Sequence, residues 1–304
     1  MARPPGIPGA SPRVGQTAVV DVGGQVAAGF EPVREAFAAV VRDQGGTGAA
    51  VAVWHGGAWV VDLWGGTTDG ARPWQRDSLV QPYSVSKPFA AVCALLLVER
   101  GLLDLDAPVR RYWPEFRAPA DVRQVLSHQA GVVRLAEPAP TEVFYDWDRL
   151  CALLAAQEPA WPPGTAHGES ALFYGHMVGE VVRRVDGRRI GRFLREEVCG
   201  PLGLDFAVGL DADEQARAVE LTRFDLLATG PRSDLYRAAL GNPPGLLDRR
   251  WSTVRAGGVG GSYAGASVVG EYAIGFVTGT MGDHARLAAV EDALRDCLGL
   301  PPLE

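Results

Sequence analysis

The run Gln81-Pro82-Tyr83-Ser84-Val85-Ser86-Lys87 leads straight into Pro88–Val98, an apolar stretch closed by Gly101. This pattern predicts a helix over 81–101. Pro88 falls in its first turn, where a missing N–H costs no intrahelical bond, and Gly101 sits just past its end. Ser84 and Lys87 form S-x-x-K near the helix start. Residues three apart share a helix face, so the lysine amine reaches the serine hydroxyl. The helix N-terminus favours a developing anion, and a desolvated lysine can take the serine proton, leaving an alkoxide-like nucleophile. S-x-x-K recurs by chance, and its ordinary meaning is a solvated lysine at a helix end. Composition separates the two meanings. Lys and Arg together number 29 in 304 residues, and Lys87 is the single lysine. Arginine supplies charge but stays protonated, whereas a buried lysine can lose its proton. A lysine kept at this one place therefore points to chemistry.

The rest of the composition excludes several functions. Asp plus Glu is 36, giving a net charge of −7, so no basic excess exists to neutralise nucleic-acid phosphates. Apolar residues at 47% and charged residues at 21% describe a folded globular chain. Cys93, Cys151, Cys199 and Cys297 are far apart with no C-x-x-C, and the five histidines show no H-E-x-x-H. No metal site and no cofactor are expected from them. The cysteines read as small buried hydrophobes of a reducing compartment. The first residues, Met1-Ala2-Arg3-Pro4-Pro5-Gly6, lack the apolar core of a secretory signal, and Pro88–Val98 is too short to span a bilayer. The expectation is a cytoplasmic protein acting on a small molecule, with no nucleic-acid or membrane partner and an open oligomeric state.

Outward from the central stretch, Val33, Phe37, Val40 and Val41 repeat at helical spacing in 30–42, and 48–55 and 58–63 read as a hairpin turning at Gly56-Gly57. Short helices follow over 104–113 and 122–128, then helices over 150–157, 173–185 and 190–199. The tail switches to two strands, 261–269 and 272–281, and a last helix over 287–298. Residues 1–29, rich in Gly and Pro, read as a flexible arm. Residues 30–304 then form one α+β domain, in which strands from both termini build one antiparallel sheet and a helical subdomain over about 84–204 is inserted.

The motifs now carry a resemblance. Gln81–Lys87, Glu99-Arg100-Gly101-Leu102-Leu103-Asp104-Leu105-Asp106-Ala107-Pro108-Val109 and Leu126-Ser127-His128-Gln129-Ala130-Gly131 come in order, followed by Pro163-Gly164-Thr165, Gly179–Gly187, Gly200-Pro201-Leu202-Gly203-Leu204 and Gly260-Gly261-Ser262. The chain resembles the serine beta-lactamase and penicillin-binding-protein superfamily, nearest to its class C-type serine hydrolases and esterases, over about 30–297. The resemblance implies a beta-lactamase/transpeptidase-like fold and an acyl-enzyme on Ser84, with Lys87 as its base partner. It implies an oxyanion hole from the main-chain N–H of Ser84 and one near Gly258 and Val259.

The family also carries a Y-x-N-like tyrosine and a K-T-G or H-x-G triplet, and this chain departs at both. Aligning the Gly179 helix puts Glu169 at the tyrosine position, and aligning Gly260-Gly261-Ser262 puts Ala256-Gly257-Gly258 at the triplet. The chain is also short after Pro243-Pro244-Gly245, where relatives carry further helices and strands. A second alignment takes Tyr174-Gly175-His176 as the tyrosine motif and breaks the downstream glycine spacing. A carboxylate at 169 favours the ammonium of Lys87 and can itself act as general base, or it is only an ion-pair partner in a site no longer used. Tyr83, Tyr174 and His167 are candidates to line the substrate site, with His176, Trp161 and Phe173 near them; His128 reads as a structural helix-end residue. Three readings remain open: a serine esterase or amidase, a repurposed enzyme performing acyl transfer or another tailoring step in small-molecule biosynthesis, and a non-catalytic binding protein.

Overall fold

The computed structural model describes residues 21–43, 47–68, 70–136, 139–219, 254–257, 262–267, 271–279 and 285–302. Alternating apolar residues build one antiparallel sheet. Its strands are β1 (Val22–Val26), β2 (Ala49–His55), β3 (Ala58–Gly65), β4 (Val254–Gly257), β5 (Tyr263–Ser267) and β6 (Tyr272–Thr278), in the order β1-β3-β2-β6-β5-β4. The junction between the two ends of the chain is the β2–β6 pair, with Val51 opposite Phe276 and Val53 opposite Ile274. Val51 and Val53 of β2, Val61 and Leu63 of β3, and Ile274 and Phe276 of β6 share one face, as the two-residue period of a strand requires. That face is covered by α1 (Glu31–Asp43) and α9 (Ala285–Cys297), which pack on each other. Val33, Phe37, Leu287, Val290 and Leu294 fill the core between helices and sheet.

The inserted helices make a second core. They are α2 (Lys87–Glu99), α3 (Val122–Leu126), α4 (Trp147–Ala155), α5 (Tyr174–Asp186) and α6 (Ile190–Leu194); α7 (Gly200–Leu202) and α8 (Ala212–Arg217) follow and bury no residue in it. Cys93 and Leu97 of α2, Met177 and Val181 of α5, and Phe193 and Leu194 of α6 interlock there, all fully or nearly fully buried. Among the described residues, Glu180 is the carboxylate buried in this core. It is fully buried and accepts from Trp147 Nε1 at 2.9 Å, Arg183 Nε at 2.8 Å and Arg184 Nε at 2.7 Å. Burial pushes its carboxyl up, and these bonds outweigh that and hold it below the usual carboxylate range. Among the described residues no helix is long and apolar enough to cross a membrane.

The expected sheet, hairpin and closing helix are present; α8 and β4 are elements the sequence pattern did not mark, and four elements that it did mark differ. The arm read over 1–29 is too long: Val22–Val26 is a strand paired with β3, Val22 opposite Gly65 and Val26 opposite Val61. Gly23 and Gly24 look like breakers, but each is where the sheet needs no side chain. A Cβ on Gly23 would lie 2.7 Å from Trp64, and one on Gly24 (φ +97°) 2.0 Å from the Asp62 carbonyl oxygen. Second, Ser84 sits in a 3-10 turn (Tyr83–Ser86), and α2 begins only at Lys87. Third, in 104–113 only Val109–Arg111 is helical, as 3-10. Fourth, the helix read over 190–199 changes at Arg195 into a π-turn (Arg195–Cys199) that runs on into α7.

Candidate active site

The Ser84 turn contacts α2 and β4. α2 follows it at once, and β4, which has a strand on one side only among the described residues, runs beside it. The backbone is strained at the residue before the serine. Tyr83 has φ +50°, a left-handed conformation that costs a non-glycine residue about 1–3 kcal/mol and persists where surrounding contacts impose it. Ser86 Oγ donates to the Tyr83 carbonyl and closes the turn.

Three of the expected residues meet here. Lys87 Nζ donates to Ser84 Oγ at 2.5 Å and lies 3.1 Å from Glu169 Oε1. The lysine side chain is only 15% exposed, while that of Glu169 is 44% exposed. Glu169 therefore stands at the ammonium, where the glycine-aligned reading put it.

Tyr174 does not take that place. It is buried at 3% exposure, and its hydroxyl donates to the Leu126 carbonyl at 3.2 Å. Burial pushes its phenol up to about 12. Its assignment to the substrate site is corrected: Tyr174, Met177, Val178 and Val181 lie at i, i+3, i+4 and i+7, the spacing of a buried helix stripe. That signal was present in the sequence. Phe173 is likewise buried, and His176 packs in an aromatic cluster, 5.0 Å from the Trp147 ring and 6.4 Å from Phe144. Tyr83 remains at the site, half-buried, with its phenol raised by burial. His167 is exposed two residues before Glu169, and its Nδ1 donates to the Ser127 carbonyl at 3.2 Å. Ala256 and Gly257 lie on the edge strand β4, opposite Ala264 and Tyr263. Gly258 and Val259 lie outside the described residues, as does the short stretch after Gly245.

Two residues that sequence reading set aside shape the loop carrying Glu169. Trp161 is buried beneath it, so close that a Cβ on Gly168 would lie 2.2 Å from the indole. His128, at φ +60°, faces the loop from the end of α3. The positive φ was foreshadowed by the turn residues Gln129-Ala130-Gly131, but the pairing of His128 with a loop some forty residues away leaves no local sequence signal.

Chemically, the arrangement joins a hydroxyl, a lysine that can hold or pass a proton, and a carboxylate able to receive one. Comparison with known proteins gives it a context. The Beta-lactamase family model matches residues 33–293. The esterase/beta-lactamase LipL of Mycobacterium tuberculosis is 34% identical over 185 residues, 58% of this chain and 42% of its own. The acyltransferase calJ of Penicillium decumbens is 32% identical over 74 residues, 24% of this chain and 17% of its own. This chain thus spans less than half the length of these curated relatives. A crystal structure of a family VIII carboxylesterase superposes with a TM-score of 0.77 at 30% identity, covering 91% of this chain and 100% of that one.

Proposed function

The chain belongs to the Beta-lactamase family, and from that premise we propose that it is a serine hydrolase of the esterase or amidase type, forming an acyl-enzyme on Ser84 with a small-molecule substrate. The observation that carries this reading is the contact of the single lysine with both the Ser84 hydroxyl and Glu169. In the proposed step Ser84 Oγ bonds to the substrate carbonyl carbon. Its proton passes to Lys87 as Lys87 gives one to Glu169. The main-chain N–H of Ser84 and a second, which the family resemblance assigns to Gly258 or Val259, hold the oxyanion in this reading. When the carbonyl re-forms, the leaving group departs with the proton returned from Glu169 through Lys87. Water then repeats the sequence and frees the acid, so Glu169 acts as base in each half and as acid in each collapse.

The acyltransferase relative favours a second reading, in which a bound alcohol or amine replaces water as acceptor in a small-molecule tailoring reaction. The first half is unchanged. A reducing, cytoplasmic setting fits the four free thiols. A fluorophosphonate probe followed by intact-mass spectrometry tests the shared step. One adduct is expected, abolished by Ser84→Ala; no adduct, or one unchanged in that variant, overturns the acyl-enzyme reading. Adding candidate alcohols or amines to an ester assay and identifying the product then separates transfer from hydrolysis.

A further inference from the structure

Glu169 has no rigid element of its own; it sits on the loop before α5. Both residues flanking it are bonded to one side chain and its backbone. Gly168 N–H donates to the His128 carbonyl at 3.0 Å, and Ser170 N–H donates to His128 Nδ1 at 3.2 Å. Ser170 is itself buried, with its hydroxyl donating to the Val132 carbonyl at 3.0 Å. The His128 ring lies against Tyr174, with centroids 4.7 Å apart, and the left-handed backbone at His128 turns carbonyl and ring toward the same loop.

We propose that His128 is the positioning residue that holds Glu169 on the Lys87 ammonium, and that it does so only as the neutral imidazole. The inference rests on the reading of Glu169 as proton acceptor. Because Nδ1 accepts from a main-chain N–H, the neutral ring carries its proton on Nε2. An imidazolium carries a second N–H on Nδ1, pointed at the Ser170 donor. Two donors cannot share that contact, so protonation removes one of the two anchors beside Glu169. The charged and titratable groups around the ring are Glu169, Lys87 and His167, with the Tyr174 phenol against its face. Burial pushes the imidazole down from its ordinary value. Glu169 pulls it up, and Lys87 and His167 push it further down, so the neutral, holding form persists below the usual imidazole range.

The rate of fluorophosphonate labelling of Ser84, followed from about pH 8 to about pH 5 across the ordinary imidazole range, tests this. His128→Phe keeps the ring against Tyr174 and removes the acceptor. It should slow labelling at least about tenfold at the upper pH, the scale expected for a misplaced catalytic group. His128→Asn places Oδ1 where Nδ1 lies, tolerates positive φ and cannot be protonated. It should recover most of the loss and fall off less steeply with acid than the wild type. If His128→Phe labels at the wild-type rate while Glu169→Gln is slow, the positioning role is overturned and the Glu169 reading stands. If Glu169→Gln labels at the wild-type rate, the reading beneath it fails and the proposal with it. Nitrogen-15 spectra of the intact protein decide independently of the Phe variant's folding: a neutral His128 protonated on Nε2 supports the proposal, and one protonated on Nδ1 overturns it.

Discussion

Lys87 bears two demands at once: it donates to Ser84 Oγ and lies beside Glu169. A compact ammonium with three donors meets both from one nitrogen, and it can give a proton to the carboxylate as it takes one from the serine. A guanidinium keeps its charge and cannot pass a proton in this way. Its planar fork also needs more room than a side chain that is 15% exposed offers. Lys87→Arg should therefore be as damaging as Lys87→Ala, each lowering the Ser84 labelling rate by about 10²-fold or more, the lower range for loss of a positioned proton-transfer group. Labelling retained in the Arg variant would show that positive charge alone suffices and would leave the proton transfer to Glu169 directly. Ser84 and Lys87 were legible in the sequence because S-x-x-K is a short-range pattern and Lys87 is the only lysine; Glu169 was legible only through the alignment of the Gly179 helix with the resembled family. His128 was not, because its bonds to 168 and 170 exist only once α3 and the loop are packed.

At the scale of elements, the candidate active site is a meeting of three pieces that come from distant parts of the chain: the Tyr83–Ser86 turn, the loop before α5 and the strand β4. The loop depends on its bed. Gly168 presses on the indole of Trp161, which is 9% exposed and packed in place. A Cβ 2.2 Å from a buried ring forces the ring or the loop to shift, and the loop is the softer of the two. Gly168→Ala should displace Glu169 from Lys87, and labelling should fall about tenfold or more. The urea midpoint should move little, since the strain is relieved by moving a loop whose Glu169 is exposed. A large loss of stability with an unchanged rate per folded molecule would show that the ring yields instead. Helix ends and turn types were the least legible features. The 3-10 turn at Ser84 and the π-turn at Arg195–Cys199 present the same apolar period as an α-helix, and only packing against neighbours selects the tighter or wider coil.

Across the whole molecule, apolar periodicity carried the architecture: alternation in β2, β3 and β6 and the helical stripes of α1 and α5 are strong local signals. What escaped includes the first strand, where two glycines hide a β-pattern whose cause is the neighbouring Trp64. The titratable groups are spread so that they act on stability together. Burial holds His128 and His176 below the ordinary imidazole value of 6.5. The unfolded chain therefore binds protons near that pH which the folded chain refuses, and stability is full above about pH 6.5 and falls as pH drops through the folded values. Carboxylates act further down. Burial pushes Glu180 up, but Arg183, Arg184 and Trp147 outweigh it, and Arg195 holds Glu214 down to about 2. Both carboxyls take up protons more readily when unfolded, so they add losses below the ordinary carboxylate value of 4.5. All four groups have the same sign. The urea midpoint should fall from about pH 7.5 to about pH 5.5, the window of the histidines, and fall again below about pH 4.5 as the carboxylates join. A double variant, His128→Asn with His176→Phe, keeps the Nδ1-side acceptor and the aromatic cluster and removes both imidazoles. It should flatten the first fall and leave the second. A wild-type midpoint that holds or rises toward about pH 5.5 would mean that the folded chain accepts those protons as readily as the unfolded one, and that neither ring is held neutral by its burial.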